Sequence, residues 1–272
     1  MKIIADIGGS RGRWQIVDNK IVKTIETNGF NPYTHKISSL HNILEILKLS
    51  VKSFEINKII YYGAGINTLE TKTIVEESIK NYFKKTQISV FSDLLGSCRA
   101  LCKDKKGIVS ILGTGSNSCY YDGNEINMQI NPLGYLLGDE GSGYVLGKSY
   151  LKKYLRGELS DNIMKSFENE YQITTDNLKI IYEKNSNRWI SEISKFIHEN
   201  KDDRVIAKII IDHFKYYFDE IICKYNSKKL YLSGSLAYYF INEISKVSNL
   251  YQIKIIKVLK DPINHLVDFH VK

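Results

Sequence analysis

Three short stretches of this 272-residue chain carry residue types that handle phosphate or hydroxyl groups, and each borders an apolar run. The densest is Asn131-Pro-Leu-Gly-Tyr-Leu-Leu-Gly-Asp-Glu-Gly-Ser-Gly-Tyr-Val-Leu-Gly147, in which five glycines surround the acid pair Asp139-Glu140. Carboxylates set among glycine backbone can grip vicinal hydroxyls bidentately, and the same acids could instead be exposed loop residues or helix caps. Near the start, Asp6-Ile-Gly-Gly-Ser-Arg11 closes the apolar run Ile3-Ile4-Ala5. Gly8 and Gly9 would let backbone N–H groups approach an oxyanion while Ser10 and Arg11 donate further hydrogen bonds, and Asp6 could hold Mg²⁺ directly or through water. An ordinary hairpin turn would use the same residues. Gly113-Thr-Gly-Ser-Asn117, after the strand-like run Ile108 to Leu112, repeats the design. Two such turns in equivalent positions of two half-chains point to a phosphate clamp.

Asp93 closes the apolar run Ile88 to Phe91 and precedes an apolar helical segment. It could cap a helix over residues 94 to 102, or accept a proton from a substrate hydroxyl as that oxygen attacks phosphorus. Other chemistries lack support. Gly147-Lys148-Ser149 imitates the end of a Walker A loop, but Ser142 stands where the first glycine belongs. No HExxH occurs, and the four cysteines include neither CxxC nor zinc spacing.

The elements that must position these residues follow from periodicity. Lys2 to Asp6, Arg13 to Val17 and Ile21 to Ile25 read as an antiparallel meander, and Asn28-Gly-Phe-Asn-Pro32 as a loop. Ile37 to Lys52 and Leu69 to Lys85 have helical spacing; Ile56 to Tyr62 and Ile88 to Phe91 read as buried strands. The order then restarts with a strand at Gly107 to Leu112, followed by strands at Cys119 to Tyr121 and Asn127 to Ile130 around the Asp122-Gly123 turn. Tyr144 to about Ile222 is mainly helical, and Leu230 to Leu232 returns to strand before Ser233-Gly-Ser235. Both halves begin strand, glycine turn, strand, which suggests an internal duplication in an α/β protein of mixed sheets.

Composition is that of a globular protein: 43% hydrophobic, 25% charged, three prolines and no low-complexity linker. The formal charge of +8 suits an anionic ligand such as a nucleotide, but the lysines fall in scattered pairs rather than one basic run. A nucleic-acid partner therefore has no motif behind it. No run approaches the roughly 18 apolar residues of a membrane span, and no signal-peptide core precedes Asp6, so a cytoplasmic protein without a membrane partner is expected.

Taken together, Asp6 to Trp14, Asn28 to Pro32, Tyr62-Gly-Ala-Gly65, Asp93, Gly113 to Asn117, Gly134 to Gly143 and Leu232-Ser-Gly-Ser-Leu-Ala237 resemble the sugar-kinase, actin and Hsp70-like ATPase superfamily. Within it they are similar to the N-acetylglucosamine kinases and the related BadF/BadG/BcrA/BcrD-type ATPases. The Gly134 to Gly143 block is the most specific part. The resemblance implies two ribonuclease-H-like lobes, residues 1–104 joined by a C-terminal helix at 261–272 and residues 105–260, with ATP and Mg²⁺ in a cleft. It implies that Gly8, Gly9, Ser10 and Arg11 touch the terminal phosphates, Thr114 and Gly115 their opposite side, and Gly234 and Ser235 the adenosine. Asp93 would be the general base for a sugar 6-hydroxyl, and Asn31, Ser116, Gly134 and Asp139 would bind an amino sugar. A homodimer would be in keeping with such relatives. Two departures stand out: Arg11-Gly12-Arg13 replaces a Lys-Thr-Asp type tripeptide, and Pro132-Leu133 replaces a bulkier Gly-Trp pair before Gly134. The alternatives are an ATPase activator of a radical dehydratase, for which the cysteines offer no cluster motif, and a sugar sensor without catalysis.

Overall fold

The computed structural model describes residues 1–174 and 187–271. The helical expectation for 175–186 and the final residue of the C-terminal helix, Lys272, lie outside the described residues. Backbone contacts divide the chain into two units. The first is Met1–Lys105, Tyr121–Ile126 and Asp261–Lys272; the second is Lys106–Tyr120 and Asn127–Lys260.

The first unit holds a five-stranded sheet in the order β3-β2-β1-β4-β5, comprising β1 (Lys2–Ile7), β2 (Arg11–Asp18), β3 (Lys20–Asn28), β4 (Lys58–Gly63) and β5 (Gln87–Ser92). β2 runs antiparallel to both β1 and β3, while β1, β4 and β5 are parallel. Central β1 buries Ile3, Ile4, Ala5 and Ile7 completely, as a strand covered on both faces must. Helix α1 (Ile37–Ser50) turns Leu40, Ile43, Leu44 and Leu47 inward at the spacing that makes one apolar stripe. Helix α2 (Leu69–Tyr82) starts at a reciprocal cap, with Thr68 and Thr71 each bonding the other's backbone N–H. Helix α3 spans Asp93–Leu101.

The chain's last helix packs Ile263, Leu266 and Val267 into this same unit and is pinned by polar bonds. Asp261 pairs with Arg13, Gln15 donates to Asn264 at 2.8 Å, and the Tyr62 hydroxyl lies 2.7 Å from His270 Nε2. Arg99 donates to the same Tyr62 hydroxyl at 2.8 Å.

The second unit repeats the plan. Its sheet has the order β10-β9-β6-β7-β8, comprising β6 (Gly107–Leu112), β7 (Ser116–Tyr121), β8 (Ile126–Gln129), β9 (Lys229–Ser233) and β10 (Lys254–Leu259). Read from the other edge, this is the order of the first sheet, as an internal duplication predicts. Short α4 (Gly134–Leu137) precedes α5 (Gly143–Leu155), α6 (Asp161–Tyr171), α7 (Asn187–Glu199) and α8 (Arg204–Glu220). Their core is strongly aromatic, with Tyr150, Tyr154, Phe167, Phe196, Phe214, Tyr217 and Phe218 almost wholly buried. Asp203 caps α8 by accepting from the Val205 and Ile206 N–H groups.

The sequence reading stops its strands at Leu232. The structure adds α9 (Ser235–Tyr239), α10 (Ile241–Leu250) and edge strand β10, whose lysines at 254 and 257, three residues apart, break the two-residue period of a strand.

Candidate active site

In the first unit, the candidate residues gather where the parallel strands end, the edge at which open α/β sheets bind ligands. Asp6 occupies the penultimate position of β1, paired in register with Arg13 on β2 and Tyr62 on β4. The following turn is closed by the Gly8 N–H donating to the Arg11 carbonyl at 2.9 Å. A second loop braces it from behind: the Phe30 N–H donates to the Gly8 carbonyl at 3.0 Å. That approach requires glycine at position 29, where a Cβ would stand 2.1 Å from the Gly8 oxygen. By contrast, a Cβ on Gly9 would meet nothing within 4 Å, so the turn's other side is open. Ala64 ties the end of β4 to β1 through a 2.8 Å bond to the Ile7 carbonyl. Asn31 folds into its own loop, accepting from the Tyr33 N–H at 3.0 Å, and its side chain lies directly against Gly65.

Asp93 is the first residue of α3, immediately after β5, whose Ser92 is in register with Gly63. The cap of that helix is Ser92, whose hydroxyl accepts from Leu95 at 3.2 Å, so the capping role considered for Asp93 belongs to its neighbour. Asp93 accepts from the Leu94 N–H at 2.8 Å and keeps an accessible edge. Burial raises its pKa to about 6, against the pull of the backbone bonds from Leu94 and from its own N–H. Asp6 is raised to about 7, first by burial, then by the charge of Asp93, with Arg13 opposing. Two carboxylates close enough to feel each other titrate as a pair.

Arg11, a candidate phosphate ligand, is turned along the hairpin. Its guanidinium contacts both carboxylate oxygens of Glu26 at 2.6 Å, with both side chains more than half exposed. Arg13 reaches Glu26 at 3.2 Å as well as Asp261. Residue typing also passed over Tyr61. Its hydroxyl is buried without a partner, and its pKa is driven up by burial and by the charges of Asp93 and Asp6. In an apolar strand such as Lys-Ile-Ile-Tyr-Tyr-Gly, a tyrosine carries no mark that separates it from core.

In the second unit, the Gly113 to Asn117 turn and the acidic glycine loop are stitched together. The Gly143 N–H donates to the Gly113 carbonyl at 2.8 Å, Tyr144 to Thr114 at 3.2 Å, and the Ser116 hydroxyl to the Glu140 carbonyl at 2.7 Å. The Asp139 carboxylate accepts from the Ser116 backbone N–H and sits so close to Gly115 that a Cβ there would be 2.7 Å from it. Asp139 is left-handed, with φ 59°, a conformation its short polar side chain tolerates. Burial lifts its pKa to about 6, with Glu140 adding to the rise and the Ser116 bond opposing it. Gly234, at φ 106°, packs against the end of β6: a Cβ would lie 2.2 Å from the Leu112 carbonyl. Thr114, Gly115, Ser116, Asp139, Gly234 and Ser235 are thus brought to one end of this sheet. Gly134, at φ 71°, starts exposed α4.

Each unit thus has an actin-like ATPase plan: a mixed five-stranded sheet of the same order, with a glycine turn after its first strand. The structure matches, over 100% of this chain and 99% of the other, the crystal structure of a protein assigned as an N-acetylglucosamine kinase from Porphyromonas gingivalis, with TM-score 0.92 and 31% identity. The chain belongs to the N-acetylglucosamine kinase family of the sugar-kinase, actin and Hsp70-like ATPase superfamily. An N-acetylmuramic acid/N-acetylglucosamine kinase of Clostridium acetobutylicum is 28% identical over 160 residues, 56% of this chain and 52% of that protein; the match spans about half the relative's length. A ROK family glucokinase from Streptomyces griseus, crystallised with glucose and AMPPNP, shares the fold at TM-score 0.62 and 13% identity, covering 98% of each chain. No family model matches the sequence.

Proposed function

We propose that the protein is an ATP-dependent sugar kinase that phosphorylates the 6-hydroxyl of N-acetylglucosamine or a close amino sugar. The observation that most supports this reading is the pair Asp6 and Asp93 at one sheet edge, beside a glycine turn whose open side can admit phosphate. With its pKa near 6, Asp93 is mostly ionised at neutral pH yet basic enough to take a proton in a transition state. It would accept the hydroxyl proton as the sugar oxygen bonds to the γ-phosphorus and the bond to the departing ADP oxygen breaks. Asn31, Ser116, Gly134 and Asp139 would hold the sugar; Asp139 can accept from vicinal hydroxyls while the Ser116 N–H fixes its orientation. Gly8, Gly9, Ser10 and Arg11, with Thr114 and Gly115, would orient the phosphates, and Gly234 and Ser235 the adenosine.

Asp6 fits a role toward Mg²⁺. A carboxylate whose ionised form is disfavoured by burial and a like charge is one that a cation would relieve. Among the described residues no cluster of three or more His, Cys, Asp or Glu side chains forms a protein cage for an ion. One carboxylate plus phosphate oxygens and water is a usual Mg²⁺ environment. When bound, the ion would supply neutralisation of charge on the transferring phosphoryl group.

No helix among the described residues is long and apolar enough to cross a membrane, and ATP as co-substrate favours a cytoplasmic setting. The test is an ADP-release assay with Mg·ATP against a panel of amino sugars and glucose, with mass spectrometry of the product. A sugar 6-phosphate from N-acetylglucosamine is expected; ATP hydrolysis without phosphosugar would favour the BadF/BadG-type ATPase reading, and sugar binding without turnover a sensor.

A further inference from the structure

We propose that His213 is a positioning residue for the sugar-binding loop, holding the Gly141 carbonyl so that Asp139 keeps its carboxylate toward substrate. This rests on the reading of Asp139 as a sugar ligand. His213 is 5% exposed on the inner face of α8, nine residues after its first residue and seven before its last, where an apolar side chain would serve packing equally well. One ring nitrogen bonds the Gly141 backbone, and Nε2 is buried without a partner. The bonded atom is therefore Nδ1, and the imidazole is the neutral Nδ1–H tautomer donating to the Gly141 carbonyl. Burial depresses its pKa to about 4, which keeps it neutral at working pH.

One helical turn on, Tyr217 forms the floor under the same glycine. A Cβ on Gly141 would fall 2.6 Å from the Tyr217 ring, and Gly141 is left-handed at φ 82°. Tyr217 is itself fixed by a short hydrogen bond to Ser110 on β6. The loop is thus clamped at one residue, with His213 bonding its carbonyl and Tyr217 bearing its Cα. Two residues back stands left-handed Asp139, whose carbonyl accepts from Ser142 at 3.0 Å across that residue. Rotation of the Gly141 peptide would be passed to Asp139 through this tight turn. The isolated position of the acid pair in sequence gives no hint of the histidine some seventy residues later.

The experiment compares His213→Asn, whose amide N–H replaces Nδ1, with His213→Gln, whose amide reaches instead toward the Nε2 position. Both are polar and smaller than or similar to histidine, so their folding costs are comparable. In steady-state assays with N-acetylglucosamine and Mg·ATP, the Gln variant should raise the sugar KM about tenfold with the ATP KM unchanged, while the Asn variant stays within about threefold of wild type. Equal sugar KM values for the two variants, or equal losses toward sugar and ATP, would overturn the assignment. Amide hydrogen exchange over residues 138–144 in the ligand-free protein reads the same bond without catalysis: faster exchange in the Gln than in the Asn variant supports the clamp, and equal exchange refutes it. Because that second measurement needs no turnover, it separates failure of this inference from failure of the kinase reading.

Discussion

Replacing Asp6 by Asn should stabilise the ligand-free protein at neutral pH while removing its activity, and the stabilisation should vanish in acid. Asp6 has a folded pKa of about 7 against 3.8 for an ordinary aspartate. A raised pKa means the folded state binds the proton more tightly than the unfolded chain does. The group's contribution to stability is therefore fully present below about pH 4 and is lost as pH rises through about 7. At about 1.4 kcal/mol for each tenfold change in proton affinity, ionising Asp6 in the fold costs roughly 4 kcal/mol above neutrality. Between about pH 5 and pH 8 the linkage integral grows by roughly 2.5 kcal/mol, an upper bound since Asp93 titrates alongside. Asn keeps the shape without the charge. Urea unfolding of both proteins at several pH values measures the difference, in which the titrating groups other than the coupled Asp93 cancel. The Asn variant should gain on wild type as pH rises, and saturating Mg·ATP should close the gap by stabilising wild type more. A gap that is constant from acid to mildly alkaline pH would refute the argument, because it would mean that Asp6 is as well solvated folded as unfolded.

Other consequences can be checked in the same assays. Asp93→Asn should lower kcat by about 10² to 10⁴ with little change in the sugar KM, and the acid limb of wild-type kcat should fall near pH 6, the pKa of that carboxylate. Glu26→Gln would free the Arg11 guanidinium from its two 2.6 Å contacts and should modestly lower the ATP KM, most clearly at low salt; a raised KM would mean that the pair serves phosphate binding as it stands. Gly115→Ala would put a methyl 2.7 Å from the Asp139 carboxylate and should raise the sugar KM about tenfold, with melting temperature as the control for a general packing fault.

Much of the first unit was legible because its signals are local. Apolar runs of strand length end at Asp6, Gly63 and Ser92, helical periods separate them, and these endings deliver the candidate residues to one sheet edge. Family membership was carried by motifs of the same local kind. What escaped depends on contacts between residues distant in sequence. Glu26 is an unremarkable acid in an exposed hairpin strand until the fold sets it against Arg11 and Arg13. Tyr61 and His213 are core by burial, and the polar atoms they leave unpartnered there carry no mark in the sequence. Asp93 and Ser92 show a subtler limit, since both residue types cap helices and only the structure gives the cap of α3 to Ser92. Gly147-Lys148-Ser149, the Walker-like stretch, lies within α5, where no phosphate loop can form.

The duplication makes sense of where the proposed chemistry resides. Aligning the first strands places Leu112 against Ile7, Gly113 against Gly8, and Ile111 against Asp6; aligning the last places Lys260 against Asp93. Both repeats keep the glycine turn and brace it with a later loop, through Phe30 on Gly8 and Gly143 on Gly113. Neither carboxylate of the first repeat survives in the second. Backbone donors alone suit a surface that only has to receive phosphate or hydroxyl oxygen, whereas a proton acceptor and a cation ligand are needed once. Duplicating the carboxylates would add buried like charges at the energetic cost calculated for Asp6, with no further bond to make or break. The Arg11-Gly12-Arg13 departure fits the same logic, because Glu26 and Asp261 hold both guanidiniums and only Arg13 offsets the Asp6 carboxylate. Loss of Arg13 should therefore raise the Asp6 pKa further, and loss of Arg11 should leave it unmoved.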